Sequence, residues 1–160
     1  MSPARLAEPA LRWPPGEPVY LLDVNVLLAL LDPLHSHHPR AHAWFAAHGA
    51  RAWASCAVTQ NGALRIMAHR SYPNRVASVA EAAEVLAEFC AQPAHRYWPG
   101  ELSLLDSPLV ERGRLLSPAQ VTDTWLLALA VRHGGRLATF DRRLVTDAVA
   151  GGREALQQID

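Results

Sequence analysis

Short apolar runs alternate along this chain with longer segments that have the periodicity of amphipathic helices. The runs typical of strands cover residues 19–22, 51–55, 136–140 and, at an expected sheet edge, 155–159. The segments typical of helices cover residues 24–31, 39–48, 58–69, 76–90 and 118–133. Because parallel strands joined through helices form right-handed crossovers, this order predicts an α/β fold whose central, mainly parallel sheet of roughly four to five strands is flanked by helices.

Two details of this pattern are specific enough to be checked. Residues 117–120 have the signature of a helix start, with a capping box from Ser117 to Gln120 and Pro118 at the first helical position. A third strand is expected at residues 96–98 or at residues 102–105, and the pattern does not choose between these two segments.

Length and composition indicate a single domain in which any binding site is local. The chain has 160 residues, 50% of them hydrophobic, which fits one core. Five prolines fall within the first 18 residues, so residues 1–18 are predicted to form an extended N-terminal arm and residues 19–160 the domain. Fifteen basic side chains, all of them arginine, balance fifteen acidic ones, and no overall field attracts nucleic acid or an anionic membrane.

The two cysteines and the lack of long apolar runs bear on location. No run reaches the ~18 apolar residues of a membrane span, and the first residues lack the apolar centre of a signal peptide. Cys56 and Cys90 match neither a CxxC metal site nor a disulfide framework. We therefore expect a cytoplasmic protein with free thiols and no membrane partner.

Three aspartates stand where a site would form in such a fold. Asp23 and Asp141 each follow a predicted strand, and ligands of open α/β sheets bind outside the carboxyl ends of the strands. Asp123 lies among apolar residues near the start of a predicted helix, where an unpaired charge is costly. For each aspartate taken alone, a helix cap or an arginine partner is an alternative explanation.

If the three carboxylates converge, their mutual repulsion requires a cation, and ligation by oxygen alone favours Mg²⁺ or Mn²⁺ over zinc. Such a metal activates water and polarises phosphoryl oxygens, so the chemistry it predicts is phosphoester hydrolysis. Asn25 and Thr139, each two residues from one of these aspartates, are expected to orient the carboxylates. Arg142, next to Asp141, is a candidate phosphate ligand, with a solvated turn as the alternative.

Four segments together resemble the PIN-domain ribonucleases of the VapC toxin type. They are residues 21–30 (LLDVNVLLAL), 59–65 (TQNGALR), 121–130 (VTDTWLLALA) and 135–141 (GRLATFD). The resemblance implies a PIN-like fold and a metal-dependent endoribonuclease that acts as the toxin of a bacterial toxin–antitoxin pair. It also implies a homodimer that cleaves RNA and is inhibited by a VapB-type antitoxin. By the same motifs, Asp23 and Asp123 correspond to direct metal ligands, and Asp141 to a further acid that holds the metal or its water.

The chain departs from this family pattern at one position. Most PIN domains have a glutamate three residues before the arginine that corresponds to Arg65, and this chain has Gly62 there. Gln60 or Asn61 is expected to take part in the site instead, with helix capping as the alternative explanation for both. A neutral amide does not replace the charge of a carboxylate, so weaker metal binding or a single-metal site is expected.

Three other interpretations remain open at this point. The loss of the glutamate at Gly62 fits a catalytically weak or inactive PIN-like module that binds RNA or protein. A phosphatase of the haloacid-dehalogenase kind also ends its first strand in an aspartate, but it needs a second one where this chain has Asn25, and a lysine that the chain lacks. Histidines 35, 37, 38 and 42 invite a zinc interpretation, although surface or packing roles fit them better.

Overall fold

The structure is a computed structural model that describes residues 17–160, in which helices separate the first four strands and the fifth strand follows the fourth without a helix between them. The strands are β1 (Tyr20–Leu22), β2 (Trp53–Ser55), β3 (His95–Tyr97), β4 (Arg136–Thr139) and β5 (Leu156–Gln158). The helices are α1 (Val24–Leu31), α2 (His38–Ala47), α3 (Ala57–Met67), α4 (Val79–Cys90) and α5 (Gln120–Arg132). Short 3₁₀ turns lie at Gly49–Arg51 and Arg112–Arg114.

The five strands form one parallel sheet in the order β3-β2-β1-β4-β5. The predicted α/β fold with a parallel sheet flanked by helices is therefore confirmed. The chain builds the sheet outward from β1 in one direction through β2 and β3, and in the other direction through β4 and β5. The carboxyl ends of β1 and β4 therefore border a topological switch point, which is where open α/β sheets bind ligands.

Apolar side chains cover both faces of this sheet. Successive residues of β1 point to opposite faces, so Leu21 packs in the cluster that contains Leu127 of α5, while Leu22 packs in the cluster that contains Leu27 of α1. Trp53 of β2 is fully buried on the α1 side. Because helices shield both faces, the buried residues of the inner strands β1, β2 and β4 are mostly apolar, whereas the edge strands β3 and β5 carry polar side chains.

Several predicted boundaries differ from the observed ones. The third strand is His95–Tyr97, which lies close to the first of the two candidate segments. Helix α5 begins at Gln120 rather than at Pro118, and the side chain of Ser117 does not cap it. Instead, Gln120 Oε1 accepts the backbone N–H groups of Leu116 and Ser117 at 2.8 and 3.0 Å, which is one half of the predicted capping box.

The predicted arm, residues 1–18, lies almost entirely outside the described residues. The division into an arm and a domain at residue 19 therefore stays a prediction. None of the helices within residues 17–160 has the length and apolar character needed to cross a bilayer.

Candidate active site

Asp23 links the end of β1 to the start of α1. Its backbone N–H extends the sheet by donating to the carbonyl of Ala138 at 3.0 Å. Its Oδ1 accepts the N–H of Val24 at 2.7 Å as a helix cap, and its Oδ2 accepts the hydroxyl of Thr139 at 2.7 Å. Each carboxylate oxygen has two lone pairs, so these two bonds fix the carboxylate and leave one acceptor position free on each oxygen. The cap and the site are thus compatible roles for one side chain.

Thr139 connects Asp23 to Asp141. The hydroxyl of Thr139 donates to Asp23 and accepts the backbone N–H of Asp141 at 3.1 Å. The Oδ1 atom of Asp141 in turn accepts the N–H of Arg143 at 2.8 Å, so the loop after β4 is held against the end of β1. The contact predicted between Thr139 and a carboxylate is present, and the carboxylate concerned is that of Asp23.

Asp123 is presented to the same place from the first turn of α5. It is half-buried, and it makes no hydrogen bond or ion pair with any residue in the range 17–160. Burial raises the pKa of Asp123 to about 6, and the negative charges of Asp23 and Asp141 add to the rise. Burial is also the largest influence on the pKa of Asp23; the hydrogen bonds from Thr139 and Val24 lower that pKa and the charge of Asp141 raises it, and the net direction is upward. The three carboxylates therefore act on one another.

The chemistry of these donors fits a hard divalent cation. No arginine of the described residues forms an ion pair with Asp23, Asp123 or Asp141. We call Asp23, Asp123 and Asp141 the aspartate rim. Across residues 17–160 no three His, Cys, Asp or Glu side chains lie close enough together to form a metal-binding group, so a cation at this rim would have fewer than three such ligands. An open set of oxygens suits Mg²⁺, which keeps several waters and uses few carboxylates. The buried Oδ1 of Asn25, which lacks a partner among the described residues, is a further oxygen beside Asp23.

The other predicted site residues are divided between this rim and other parts of the surface. The side chain of Gln60 contacts the end of β2, where its amide donates to Ser55 Oγ at 2.9 Å, and it forms no hydrogen bond with the three aspartates. Asn61 is exposed on α3 and lines a cavity together with Val24 and Thr122. Arg142 is exposed and lies 3.6 Å from the carboxylate of Asp160.

Gly62 lies against the first residue of α1. A Cβ atom at position 62 would be 2.8 Å from Val24 Cγ2, so a longer side chain does not fit while Val24 stays in place. The absence of a fourth acid is therefore part of the packing between α1 and α3.

The histidines of the 35–42 segment hold α2 against α1. His38 Nδ1 lies 2.7 Å from the carbonyl oxygen of Ala29, and His42 Nε2 lies 3.1 Å from that of Leu30. These carbonyls belong to the last turn of α1, which has no intrahelical partners for them. The ring of His37 stacks on Phe140 at 4.9 Å. His35 Nδ1 accepts the backbone N–H of His37 at 3.0 Å. Packing and local hydrogen bonds therefore give each of the four histidines a structural role.

The fold and the aspartate rim define a PIN domain, and comparison with known proteins agrees: residues 20–149 match the PIN domain family. The chain is 51% identical to Ribonuclease VapC44 of Mycobacterium tuberculosis over 131 residues, 82% of this chain and 92% of the relative. It is 40% identical to Ribonuclease VapC39 of the same species over 136 residues, 85% of this chain and 98% of the relative. The chain therefore belongs to the PIN-domain family, in its VapC branch, as its four motifs predicted.

Solved structures show the same fold at low sequence identity. The sarcin-ricin loop cleaving toxin VapC20 of Mycobacterium tuberculosis matches with a TM-score of 0.53 and 12% identity, over 82% of this chain and 90% of that one. A chain of VapBC2 from Rickettsia felis, bound to a DNA fragment from its promoter, matches with a TM-score of 0.55 and 10% identity, over 89% of this chain and 99% of that one. At these identities the likeness concerns the fold alone.

Proposed function

We propose that this protein is a Mg²⁺-dependent endoribonuclease that hydrolyses RNA phosphodiester bonds, with Mn²⁺ as a substitute cation. The observation that carries the proposal is the arrangement of Asp23, Asp123 and Asp141 at the switch point of the sheet, with no arginine to neutralise them in the described chain. The relatives named as VapC ribonucleases support the same reaction class.

Each residue has a defined part in this proposal. Asp23 and Asp123 bind the cation, Asp23 through the free acceptor positions that its two hydrogen bonds leave. A divalent cation at this rim supplies a water of lowered pKa and neutralises charge on the phosphate. Asp141 orients the attacking water through the acceptor positions that its one hydrogen bond, from the N–H of Arg143 to Oδ1, leaves free on the carboxylate. Arg142, which is exposed beside this rim, stabilises the charge that develops on the phosphate.

The test compares Asp23→Asn with a matched surface variant. Asp147 is an exposed aspartate whose side chain forms no hydrogen bond with the described residues, and its charge is not among those that act on Asp23 or Asp123. Asp147→Asn therefore removes the same charge outside the rim. We expect Asp23→Asn to remain folded and to lose Mg²⁺ binding, measured by calorimetry, together with cleavage of a fluorescent oligoribonucleotide. Asp147→Asn is expected to retain both properties. Undiminished cleavage by Asp23→Asn contradicts the assignment.

We further propose that the protein is the toxin of a toxin–antitoxin pair. The VapC relatives and the VapBC2 structure from Rickettsia felis support a VapB-type antitoxin as its partner. A homodimer as its assembly and the cytoplasm as its location are further parts of this proposal, and they rest on the family resemblance. The free thiols of Cys56 and Cys90 fit that compartment. Growth arrest on expression in bacteria, relieved by co-expression of the open reading frame directly upstream, is the expected result. Normal growth with soluble, folded protein contradicts it.

The second candidate function is a module that binds RNA or protein without cleaving it. The observation that favours it is Gly62, where the packing of Val24 excludes a further acid. An RNA cleavage assay with Mg²⁺ and with EDTA separates the two candidates. Metal-dependent cleavage supports the nuclease, whereas RNA binding without cleavage supports the module.

A further inference from the structure

A cavity of about 460 Å³ adjoins the aspartate rim, and nothing in the proposed mechanism uses it. Val24 and Thr122 form part of its wall, and these residues directly follow Asp23 and directly precede Asp123 in the chain. The volume lies within the roughly 300–1,000 Å³ of small-ligand pockets. A molecule that reaches the rim therefore meets a second, solvent-accessible cavity beside its reacting centre.

One face of α3 supplies the rest of the lining. The residues on this face are Val58, Asn61, Gly62, Arg65 and Ile66, which recur at the i, i+3, i+4, i+7 and i+8 spacing of a single helical stripe. An ordinary buried stripe is apolar throughout, but this one places an amide and a guanidinium between two aliphatic side chains. The stripe therefore offers both apolar contacts and hydrogen-bonding groups to a ligand.

Gly62 keeps the cavity open. Since even a Cβ atom at this position would press on Val24, the floor of the cavity consists of backbone and of the Val24 side chain. Aliphatic groups from Val58 and Ile66 flank this floor. An apolar group of a ligand can pack against this floor, whereas a side chain at position 62 would collide with Val24.

The two polar residues of the stripe have unused hydrogen-bonding groups. Asn61 and Arg65 are exposed, and neither forms a hydrogen bond or an ion pair with another residue between 17 and 160. The amide offers donors and an acceptor to the edge of a planar ligand, and the guanidinium offers a bidentate fork to a phosphate. They are one helical turn apart, so one ligand contacts both.

We propose that this cavity binds the nucleobase of a nucleotide next to the scissile phosphate, with Asn61 reading the edge of the base and Arg65 binding the adjoining phosphate. The proposal rests on the proposed RNA cleavage and adds to it a site of base preference. Single-stranded RNA suits the site, because its unstacked bases enter apolar slots and expose their hydrogen-bonding edges. Asn61 and Arg65 are specificity and binding residues here, not members of the cation site.

The test measures RNA binding without cleavage. Fluorescein-labelled homopolymers of A, C, G and U, about 12 nucleotides long to cover one single-strand site, are titrated by anisotropy in Mg²⁺ into the Asp141→Asn protein, which keeps both proposed cation anchors. Asn61→Ala and Arg65→Ala are added to this background. The matched control is Arg70→Ala, which removes the same charge from an exposed arginine that does not line the cavity.

Arg65→Ala is expected to weaken binding to all four homopolymers and to reduce the salt dependence by about one released counterion. The Asp141→Asn protein is expected to bind its preferred homopolymer roughly fivefold to a hundredfold more tightly than the others, which is the discrimination that one bidentate base contact supplies. Asn61→Ala is expected to remove this difference. Asn61→Asp, which has nearly the same shape, is expected to change the preferred base. Circular dichroism melts show that each variant is folded before it is compared.

The proposal is overturned if Asn61→Ala and Arg65→Ala bind all four homopolymers as the Arg70→Ala protein does. It is also overturned if the Asp141→Asn protein binds no RNA. Failure of the proposed function would give a different result. The unsubstituted protein would then show no metal-dependent cleavage, while the variants would still differ from one another in RNA binding.

Discussion

The hydroxyl of Thr139 donates to Asp23 Oδ2 at 2.7 Å, a contact between residues 116 positions apart that joins the ends of β1 and β4. Thr139 is fully buried, so this hydroxyl has no water to replace its partner. Thr139→Val keeps the shape and removes the bond, which frees the Asp23 carboxylate to rotate. We expect cation affinity and RNA cleavage to fall roughly tenfold to a hundredfold, as for other residues that orient metal ligands.

The Thr139→Val substitution is also expected to change the pH dependence of Mg²⁺ binding. Because the hydroxyl lowers the pKa of Asp23, its loss raises that pKa and moves the pH at which Mg²⁺ binds to higher values. Thr139→Ser restores the hydroxyl and is expected to recover both the affinity and the pH profile. A Thr139→Val protein with an unshifted profile is evidence that Thr139 only fills space.

Asp123 is expected to make the metal-free protein less stable as the pH rises. Its pKa is about 6 in the folded protein against an ordinary value of 3.8, so between these values the folded state binds more protons than the unfolded state. The free energy of unfolding therefore falls as the pH increases from 4 to 7, by about 1–2 kcal/mol, because water partly screens this half-buried carboxylate. Urea unfolding in EDTA measures the change. Asp123→Asn is expected to flatten the pH dependence, and an unchanged slope in this variant contradicts the prediction.

The fold was predictable from the sequence because its signals are local. Apolar runs for β1, β2 and β4 and the stripes of the helices follow from the spacing of neighbouring residues. The exact position of β3 was not predictable, since it is a polar edge strand, His95–Tyr97, without a buried face. The start of α5 was placed too early because the cap there comes from Gln120 rather than from Ser117.

The candidate site was predictable to the extent that its residues follow strands. Asp23 and Asp141 follow β1 and β4, and the sheet topology places the carboxyl ends of these neighbouring strands side by side, independently of the loop conformations. The direction of the Gln60 side chain was not predictable, because neighbouring residues of a helix face different directions, and the contact with Ser55 shows which one. The contact of Gly62 with Val24 spans two helices, so no local pattern indicates it.

Asp32 is a buried acid whose role is structural, and it provides a contrast to Asp123. It is 7% exposed, and its carboxylate accepts the hydroxyl of Tyr72 at 2.5 Å and the amide of Asn74 at 2.9 Å. Burial alone would raise the pKa of Asp32, but the hydrogen bonds outweigh it and lower that pKa. Its contribution to stability is therefore present above pH 3.8 and is lost as the pH falls through the lowered pKa.

Asp32→Asn is accordingly expected to reduce the free energy of unfolding at pH 7 by about 1–3 kcal/mol, the cost of disrupting a buried charged network. Cleavage per folded molecule is expected to stay at the level of the unsubstituted protein, since Asp32 does not contact the rim. Loss of cleavage in the folded Asp32→Asn protein would show that this acid belongs to the site.

Restoring an acid at position 62 is expected to fail unless Val24 is shortened as well. Gly62→Glu gains helix propensity of about 1 kcal/mol, but its Cβ atom collides with Val24 Cγ2, and overpacking of this kind costs about 1–3 kcal/mol. We expect Gly62→Glu to be less stable than the unsubstituted protein. We expect the double variant Gly62→Glu/Val24→Ala to be more stable than the sum of the two single effects predicts. A double-mutant cycle in urea measures this coupling, expected to be at least about 1 kcal/mol and favourable. Additive effects would show that the two positions do not compete for one space, and the explanation for the missing acid would then lie outside the packing of α1 on α3.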